Sequence, residues 1–268
     1  MRIRVESIGL YLGIALVLLW TLTPIYWIAN VSLRAGLEVY EAFSPKITFE
    51  NYVKLFQEGF ERYLVNTVYL AFLSTAISLA LAVPASYAIS RLALNEYFRR
   101  GFLAWTLFAR TIPPIVLILP IYVMFASMKL LDNLNAVAMA YQIYTLPFAL
   151  WTLIGFFRAV PKEVEEAALV DGAGPLTILV RVMLPIVAPG LVATAIFCLL
   201  MTWNEFLYAV ILLQSLKNYT VPLVIASYIS EWGVKWGEMA AAGIISSLPM
   251  LLFTGYVQKY LVLGFMKK

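Results

Sequence analysis

Long apolar runs alternate with short polar loops along this chain. Six runs are long enough to cross a bilayer, since the hydrocarbon core takes roughly 20 mostly apolar residues as a helix. The fifth run is expected to continue past Glu205 to about Leu213. Backbone groups in lipid must pair within their own segment, so each run is predicted to be a helix. The pattern therefore predicts an all-α membrane protein with six transmembrane helices, at residues 7–33, 63–90, 101–128, 133–157, 182–204 and 239–258.

The longest polar loop, residues 34–62, separates the first two runs. Thr48 is suited to cap the amino end of a helix over residues 49–64. Apolar side chains recur in this segment at helical spacing, which predicts an amphipathic helix near the membrane surface. The residues expected on its apolar face are Tyr52, Leu55, Phe56, Phe60 and Tyr63.

Composition supports the bilayer as solvent. The chain is 63% hydrophobic and 13% charged, whereas a soluble domain is about half apolar and about a quarter charged. The first run is too long for the core of a signal peptide and lacks a cleavage site, so it is expected to remain as a span. The single cysteine, Cys198, allows no intramolecular disulfide, and the chain has no histidine. No metal site and no catalytic residue are therefore predicted.

Lysine and arginine set the expected orientation, because they favour cytoplasmic loops. An even number of spans places both termini on one side. That side holds more basic residues although its loops are shorter, so the N- and C-termini are predicted to be cytoplasmic. The chain is then a multi-pass protein of the cell inner membrane. The basic residues assigned to the cytoplasm are Arg2, Arg4, Arg91, Arg99, Arg100, Arg158, Lys162, Arg181, Lys259, Lys267 and Lys268.

One cytoplasmic loop, residues 158–185, carries an unusual polar pattern. Pro161 fits the first turn of a helix, where its missing N–H would be unpaired anyway. Three glutamates follow, near the positive end of the helix dipole. The pair Asp171-Gly172 is a stop signal. Between these ends, Ala167 and Ala168 keep the helix narrow, so another protein surface can approach it closely.

This loop, followed by Val182-x-Leu184-Pro185, resembles the Glu-Ala-Ala loop of bacterial and archaeal ABC importer permeases. In that family the loop is a cytoplasmic helix that docks onto the ATPase subunit. The resemblance implies a coupling role for Glu163, Glu166, Ala167, Ala168, Asp171, Gly172, Leu184 and Pro185.

Further fragments in the same order extend the resemblance over residues 24–265. They are similar to the second permease subunit of carbohydrate importers, the maltose-system G type. This implies the type I importer fold and alternating access within a heterodimer formed with a second permease. It also implies two ATP-binding subunits that hold ATP and Mg, an external sugar-binding protein, and no nucleic acid. The fragments include Phe49-Glu50-Asn51-Tyr52, Asn66-Thr67, residues 84–91, Pro113-Pro114 and Trp203-Asn204-Glu205-Phe206.

The resemblance also suggests a division of the chain. Residues 1–62 hold the first span and the outer loop, residues 63–262 form the permease domain, and residues 263–268 form a cytoplasmic tail. This tail is shorter than the glycine-rich basic tail common in the family. No Gly-x4-Gly-Lys-Ser/Thr phosphate loop occurs, so the chain is predicted not to be an enzyme and ATP to bind in a partner.

Two charges, Arg110 and Glu205, are predicted at membrane depth, where an ionisable residue marks a functional or pairing site. They lie on the sugar path, or Arg110 pairs with Glu205 or with backbone carbonyls freed by nearby prolines. The candidate path residues are Trp203, Asn204, Glu205, Tyr208 and Arg110. The candidate helix breaks for a gate are Pro113, Pro114 and Pro120.

Two alternatives to a di- or oligosaccharide importer stay open. The same kind of permease could carry a polyol phosphate, a polyamine or a peptide. Because Arg110 is the only cation predicted within a span, a neutral solute is favoured over an anion. A secondary carrier or a membrane-embedded enzyme is the other alternative. A carrier would transport when expressed alone, and an enzyme would need a nucleophile or metal cluster at membrane depth.

Overall fold

The computed structural model describes the backbone of residues 2–41, 46–231 and 233–266, and the side chains of residues 9–36, 38–41, 46–231 and 233–255. The predicted tail at residues 263–268 lies mostly outside this part. Its last two lysines are not described, and only the backbone of residues 263–266 is.

Helices account for almost all of the described chain. Two strands of two residues, β1 (Ile229–Ser230) and β2 (Gly233–Val234), form an antiparallel hairpin that the all-α prediction did not include. The helices are α1 (Arg2–Ser32), α2 (Glu50–Gln57), α3 (Phe60–Arg91), α4 (Glu96–Thr111), α5 (Pro114–Ser127), α6 (Leu134–Ala140), α7 (Gln142–Ala159), α8 (Lys162–Val170), α9 (Pro175–Thr177), α10 (Leu184–Trp203), α11 (Leu207–Leu212), α12 (Val221–Ser227) and α13 (Trp236–Met266).

Four helices are long and apolar enough to cross a membrane within the described residues. They are Gly9–Ser32, Phe60–Arg91, Pro175–Trp203 and Trp236–Gly255. Two further pairs pass the same test but are bent, by 95° between α4 and α5 and by 48° between α6 and α7. The structure has six spans if each pair is one span, which agrees with the predicted helical membrane fold. The cytoplasmic location of the termini stays a prediction.

The observed helix breaks agree only in part with those predicted from sequence. The sharp bend falls at Pro113-Pro114, where Pro113 is extended and α5 begins. Pro120 lies inside α5 without ending it, so the expected break at Pro120 is absent. The fifth run does not continue unbroken to Leu213 as predicted, because α10 ends at Trp203. Phe206 then leaves the helical conformation, with φ −121°, and α11 begins after it.

The outer loop also forms two helices where one was predicted. Gly59 has a left-handed backbone, with φ +80°, and this ends α2 before α3 begins at Phe60. The Thr48 hydroxyl does accept a hydrogen bond from the Glu50 amide, at 3.1 Å. Leu55 and Phe60 are fully buried, but Phe56 is exposed, so the predicted apolar face is only partly correct.

The chain packs as two units. The first comprises Met1–Glu61 and Val224–Pro249, and the second comprises Arg62–Leu223 and Met250–Lys268. Residues 224–249 therefore pack with the outer loop, although the sequence groups them with the permease domain.

A buried amide holds the first unit together. The Nδ2 atom of Asn51 donates to the carbonyl oxygens of Ser32, at 2.8 Å, and Arg34, at 2.6 Å. These carbonyls follow the end of α1, where no intrahelical donor remains. A Cβ atom at Gly237 would approach the Asn51 amide to within 2.6 Å, so α13 passes directly over this side chain. The ends of α1, α2 and α13 thus meet at Asn51.

The second unit contains the larger cores. One core joins α5, α6 and α11 around Ile118, Val137 and Leu212. The other joins α7, the start of α10 and the end of α3 around Leu153, Met183 and Tyr87. The helices α7 and α10 are in close contact at Gly190, where an added Cβ would fall 2.2–2.4 Å from ring carbons of Phe156.

An aspartate ties two loops of the second unit. The Asp132 carboxylate accepts hydrogen bonds from the Gln214 amide, at 3.0 Å, and from the Ser215 amide, at 3.0 Å, and hydroxyl, at 2.5 Å. Burial alone would raise the pKa of Asp132, but its hydrogen bonds to Ser215, Gln214 and Asn218 outweigh it and lower the pKa to about 2. The loop after α5 is therefore fixed to the loop after α11.

Gly190→Val should separate α7 from α10, because its side chain would overlap the Phe156 ring. Overpacking of this kind destabilises by about 1–3 kcal/mol. We expect a lower unfolding temperature for the purified protein. Gly155→Ala, on α7 beside Phe156 but in open space, is the control and should be as stable as wild type. A fully stable Gly190→Val would contradict the described packing.

Asp132→Asn should destabilise the protein at neutral pH by about 1–2 kcal/mol, because an amide replaces a carboxylate that accepts several hydrogen bonds. The folded-state pKa of Asp132 is about 2, below its ordinary value of 3.8. Its stabilisation is therefore full above about pH 4 and lost as the pH falls through 2. The difference in unfolding temperature between wild type and variant should shrink over that range. Glu61→Gln, at an exposed carboxylate, should show no such pattern.

Candidate functional site

The candidate docking helix is α8, with an extended proline before it. Pro161 lies just outside the helix, one position earlier than predicted, and Lys162 is its first residue. Glu163 and Glu165 lie in the first turn, where the unpaired backbone amides favour negative charge.

The carboxyl end of α8 is closed by a glycine in the left-handed conformation. Gly172 has φ +79°. Its amide donates to the Leu169 carbonyl and the Ala173 amide to the Ala168 carbonyl, both at 3.0 Å. These two bonds form a Schellman motif, which strongly favours glycine at this position. Asp171 precedes it as the cap residue, so Asp171-Gly172 is the helix stop that the sequence predicts.

The helix has two distinct faces. Val164 and Ala168, four residues apart, pack against the core formed by α7 and the start of α10. The opposite face is bare, with Val170 87% exposed. Ala168 therefore faces inward, whereas its neighbour Ala167 faces outward. The exposed residues at helical spacing are Glu163, Glu166, Ala167 and Val170.

A buried ion pair fixes α8 to the body of the protein. The Glu165 carboxylate accepts a hydrogen bond from the Tyr87 hydroxyl, at 2.6 Å. It also lies 3.8 Å from Nε of Arg91, whose side chain is only 5% exposed. The same guanidinium donates to the carbonyl oxygen of Phe157, at 3.1 Å, and to that of Val160. Arg91 therefore joins the ends of α3 and α7 to α8.

Leu184 and Pro185 lie at the start of α10, after a π-helical turn at Ile178–Met183. Leu184 packs against the same core as Val164, whereas Pro185 is exposed. Because α9, the π-helical turn and α10 run on without a gap, these two residues belong to the foot of a long helix.

The Glu205 side chain caps a helix. Its carboxylate oxygens accept from the Tyr208 amide, at 2.8 Å, and the Ala209 amide, at 3.1 Å. These amides belong to the first turn of α11, where backbone N–H groups have no acceptor within the helix. Glu205 therefore satisfies the backbone released by the break after α10.

The other predicted path residues do not form one surface. Trp203 and Tyr208 are buried, and the Tyr208 ring packs between those of Tyr141 and Tyr144 with centroids 6.1–6.4 Å apart. Asn204 is exposed and donates to the Leu200 carbonyl at 2.8 Å.

Arg110 is exposed and lies over the Phe148 ring, 5.8 Å from its centroid. Within the described residues, Arg110 and Glu205 form no ion pair, so the hypothesised pairing is absent there. Among the residues that the structure describes, no three His, Cys, Asp or Glu side chains cluster so that they could hold a metal ion.

Comparison with known proteins identifies the class. Residues 81–266 match the family described as the inner membrane component of binding-protein-dependent transport systems. The chain belongs to this family. The match includes the candidate docking helix, both bent helix pairs and the segment around Glu205.

Relatives of this permease match along nearly the whole chain. The trehalose transport system permease protein SugB of Mycobacterium tuberculosis is 31% identical over 93% of this chain and 92% of its own. The trehalose/maltose transport system permease protein MalG of Thermococcus litoralis is 30% identical, over 97% and 95%. A solved bacterial ABC transporter for the acidic polysaccharide alginate superposes with a TM-score of 0.80 at 22% identity, covering 96% of each chain, which establishes the shared fold.

The permease has contacts that sequence reasoning missed. From sequence, Arg91 is interpreted only as a basic residue that marks the cytoplasmic side, and Glu165 only as a charge near the positive end of the helix dipole. Their pairing depends on the packing of α3 beside α7, which residue spacing along the chain does not report. The signal available was an arginine and a tyrosine on one helical face, at positions 87 and 91.

Arg91→Ala should loosen α8 while leaving the helix itself intact. It removes the donor to two α7 carbonyls and leaves Glu165 with only the Tyr87 hydroxyl. Hydrogen bonds to charged groups are worth about 1.5–3 kcal/mol each. We expect faster amide hydrogen exchange across residues 162–170 of this permease and a lower unfolding temperature. Arg99→Ala, at a more exposed arginine paired with Glu96, is the control. Unchanged exchange in Arg91→Ala would contradict the anchoring role.

Proposed function

We propose that this permease is the membrane subunit of an ATP-driven importer for a neutral di- or oligosaccharide, and that α8 docks onto the ATPase. The observation that carries the proposal is the bare face of α8. Glu163, Glu166, Ala167 and Val170 are exposed together, although the opposite face of the same helix is packed. A helix that exposes an apolar side chain such as Val170 beside two carboxylates is suited to a protein partner.

Neighbouring residues enlarge the apolar part of this face. Leu169 is 54% exposed and Leu176, in the turn after the helix, is 73% exposed. Ala167 adds little bulk, so the backbone of α8 can lie close to a concave partner surface. The ATPase is the partner that fits, because an importer of this family must couple ATP hydrolysis to movement of its permease.

The contacts of Glu165 give a route for that coupling. Since Arg91 bonds to Glu165 and to the end of α7, a displacement of α8 would be transmitted to α3 and α7 together. The bend of 95° at Pro113-Pro114 offers a site where the membrane helices can change shape. We assign this break to the gate that alternates access between the two sides. The candidate path residues form the region that responds to this gate, namely Trp203, Asn204, Glu205, Tyr208 and Arg110.

The proposed partners are a second permease, two ATP-binding subunits and an external sugar-binding protein, with ATP and Mg held by the ATPases. The family description names dependence on a binding protein. A solved alginate transporter was crystallised with its oligosaccharide-bound periplasmic protein. The first helix supports a further membrane partner, because within Gly9–Ser32 the most apolar window has 0% of its residues buried. Lipid and the second permease would cover it.

The saccharide assignment is based on the substrates for which the relatives are named. The permeases named for trehalose and for trehalose/maltose match more than nine-tenths of this chain. A neutral substrate also agrees with Arg110, which lies over the Phe148 ring as a single cation rather than in a basic cluster.

Glu166→Lys should uncouple the transporter while leaving the permease folded, because it reverses a charge on the exposed face of α8. We expect about a tenfold loss of sugar-stimulated ATP hydrolysis and weaker co-purification of the ATPase subunits, because a reversed charge disfavours association with a complementary partner surface. Glu61→Lys, at another exposed glutamate in a first helical turn, is the matched control. Normal ATPase recovery with Glu166→Lys would reject the docking assignment.

Gly172 provides an independent test of the same helix. Gly172→Val should disturb the left-handed stop after α8 and reduce coupling, since a β-branched residue strongly disfavours positive φ. Gly172→Asn should keep most of the activity, because asparagine tolerates this conformation.

Uptake should be measured for trehalose, maltose, a polyamine and a dipeptide. Uptake of only the last two would reject the saccharide assignment while leaving the docking helix untouched.

A further inference from the structure

A polar cavity of about 410 Å3 lies within the first packing unit. Its size falls in the range of small-molecule sites, about 300–1,000 Å3. Three segments line it, namely the turn after α1, one face of α2 and the first turn of α13. The lining includes Arg34, Tyr40, Glu50, Lys54, Trp236 and Glu238. The distribution of basic residues assigns these segments to the outer side of the membrane.

The floor of this cavity is preformed. Asn51, only 3% exposed, holds the carbonyl groups of Ser32 and Arg34. Gly237 lies against the Asn51 amide with no room for a side chain. The three lining segments are therefore fixed to each other at one point, and a ligand would not have to order them.

The rim of the cavity carries two accessible aromatic side chains. Tyr40 is 67% exposed and Trp236 is 41% exposed, and both line the cavity. The flat C–H faces of sugar rings pack against such aromatic faces, while the hydroxyl groups of the sugar remain free for hydrogen bonds.

The charges of the lining balance. Lys54 forms an ion pair with Glu50 at 2.7 Å, and the pKa of Lys54 is raised by the hydrogen bond to Glu50 and by the nearby charges of Glu50 and Glu238. Arg34 is 5% exposed and donates to Asn30 Oδ1 at 2.8 Å. Two positive and two negative side chains give no net charge, which suits a neutral ligand. Glu50 and Glu238 offer acceptors for hydroxyl groups and Lys54 offers a donor.

We propose that this cavity is an outer saccharide site, in which one sugar ring packs against Tyr40 and Trp236 and its hydroxyl groups bond to Glu50, Lys54 and Glu238. The inference rests on the proposed sugar-import function and on the predicted orientation. Such a site would retain sugar near the permease after release from the external binding protein, and would so raise the local sugar concentration.

Saccharide binding should be measured on the assembled transporter in lipid nanodiscs without the binding protein. Trehalose and maltose are the probes, and saturation-transfer NMR is the readout. We expect both Tyr40→Ala and Trp236→Ala to weaken binding by about five- to tenfold, the typical value of one aromatic contact. Trp236→Tyr should retain most of the affinity. Tyr97→Ala, at a tyrosine 87% exposed that does not line the cavity, is the matched control.

Three outcomes would overturn the proposal. The first is the absence of trehalose and maltose binding in a complex that still shows sugar-stimulated ATP hydrolysis, which leaves the import function intact. The second is binding that is equal in all variants. The third is a Tyr40→Ala variant that binds sugar normally but has lost affinity for the external binding protein, which would make the cavity a protein contact. If Trp236→Ala fails to fold, Tyr40→Ala decides alone, since its side chain is exposed.

Discussion

The fold depends on side chains that satisfy the backbone where helices stop, because a buried N–H or C=O group without a hydrogen-bond partner is costly. Three of the helix ends described above are closed by a polar side chain. Asn51 serves the end of α1, Arg91 the end of α7, and Glu205 the start of α11. Asn66 similarly donates to the carbonyl groups of Lys217 and Tyr219. The hydrogen bonds of these few residues are directional, whereas the apolar contacts between helices are not.

These polar contacts at helix ends also explain which features could be predicted from sequence. Hydropathy marked all six apolar runs, since length and apolar composition decide whether a segment can cross the membrane. It did not place the end of α10, because Trp203 to Leu213 reads as one apolar stretch with a single acid in it. Glu205 appeared to be a costly charge in a helix, whereas its carboxylate caps the next helix across a three-residue gap. A partner only three or four residues away, but on a non-helical backbone, leaves no periodic signal.

The candidate docking helix was easier to predict, since its start, its stop and its narrow middle are all local features of sequence. Its division into a packed and a bare face followed from structure, because that division depends on which neighbours Val164 and Ala168 meet. The outer cavity could not be predicted at all. Its walls come from segments almost 200 residues apart, and none of them carries a recognisable motif.

The separation of the two faces of α8 has a consequence for how such transporters diversify. Residues that secure the helix, such as Glu165, Val164 and Gly172, are confined to the inner face and the helix stop. The side chains at positions 163, 166, 167 and 170 are exposed and do not pack against that core. On the proposed docking role, mutations at these positions would alter the surface offered to the ATPase while the attachment of α8 to the permease stays the same.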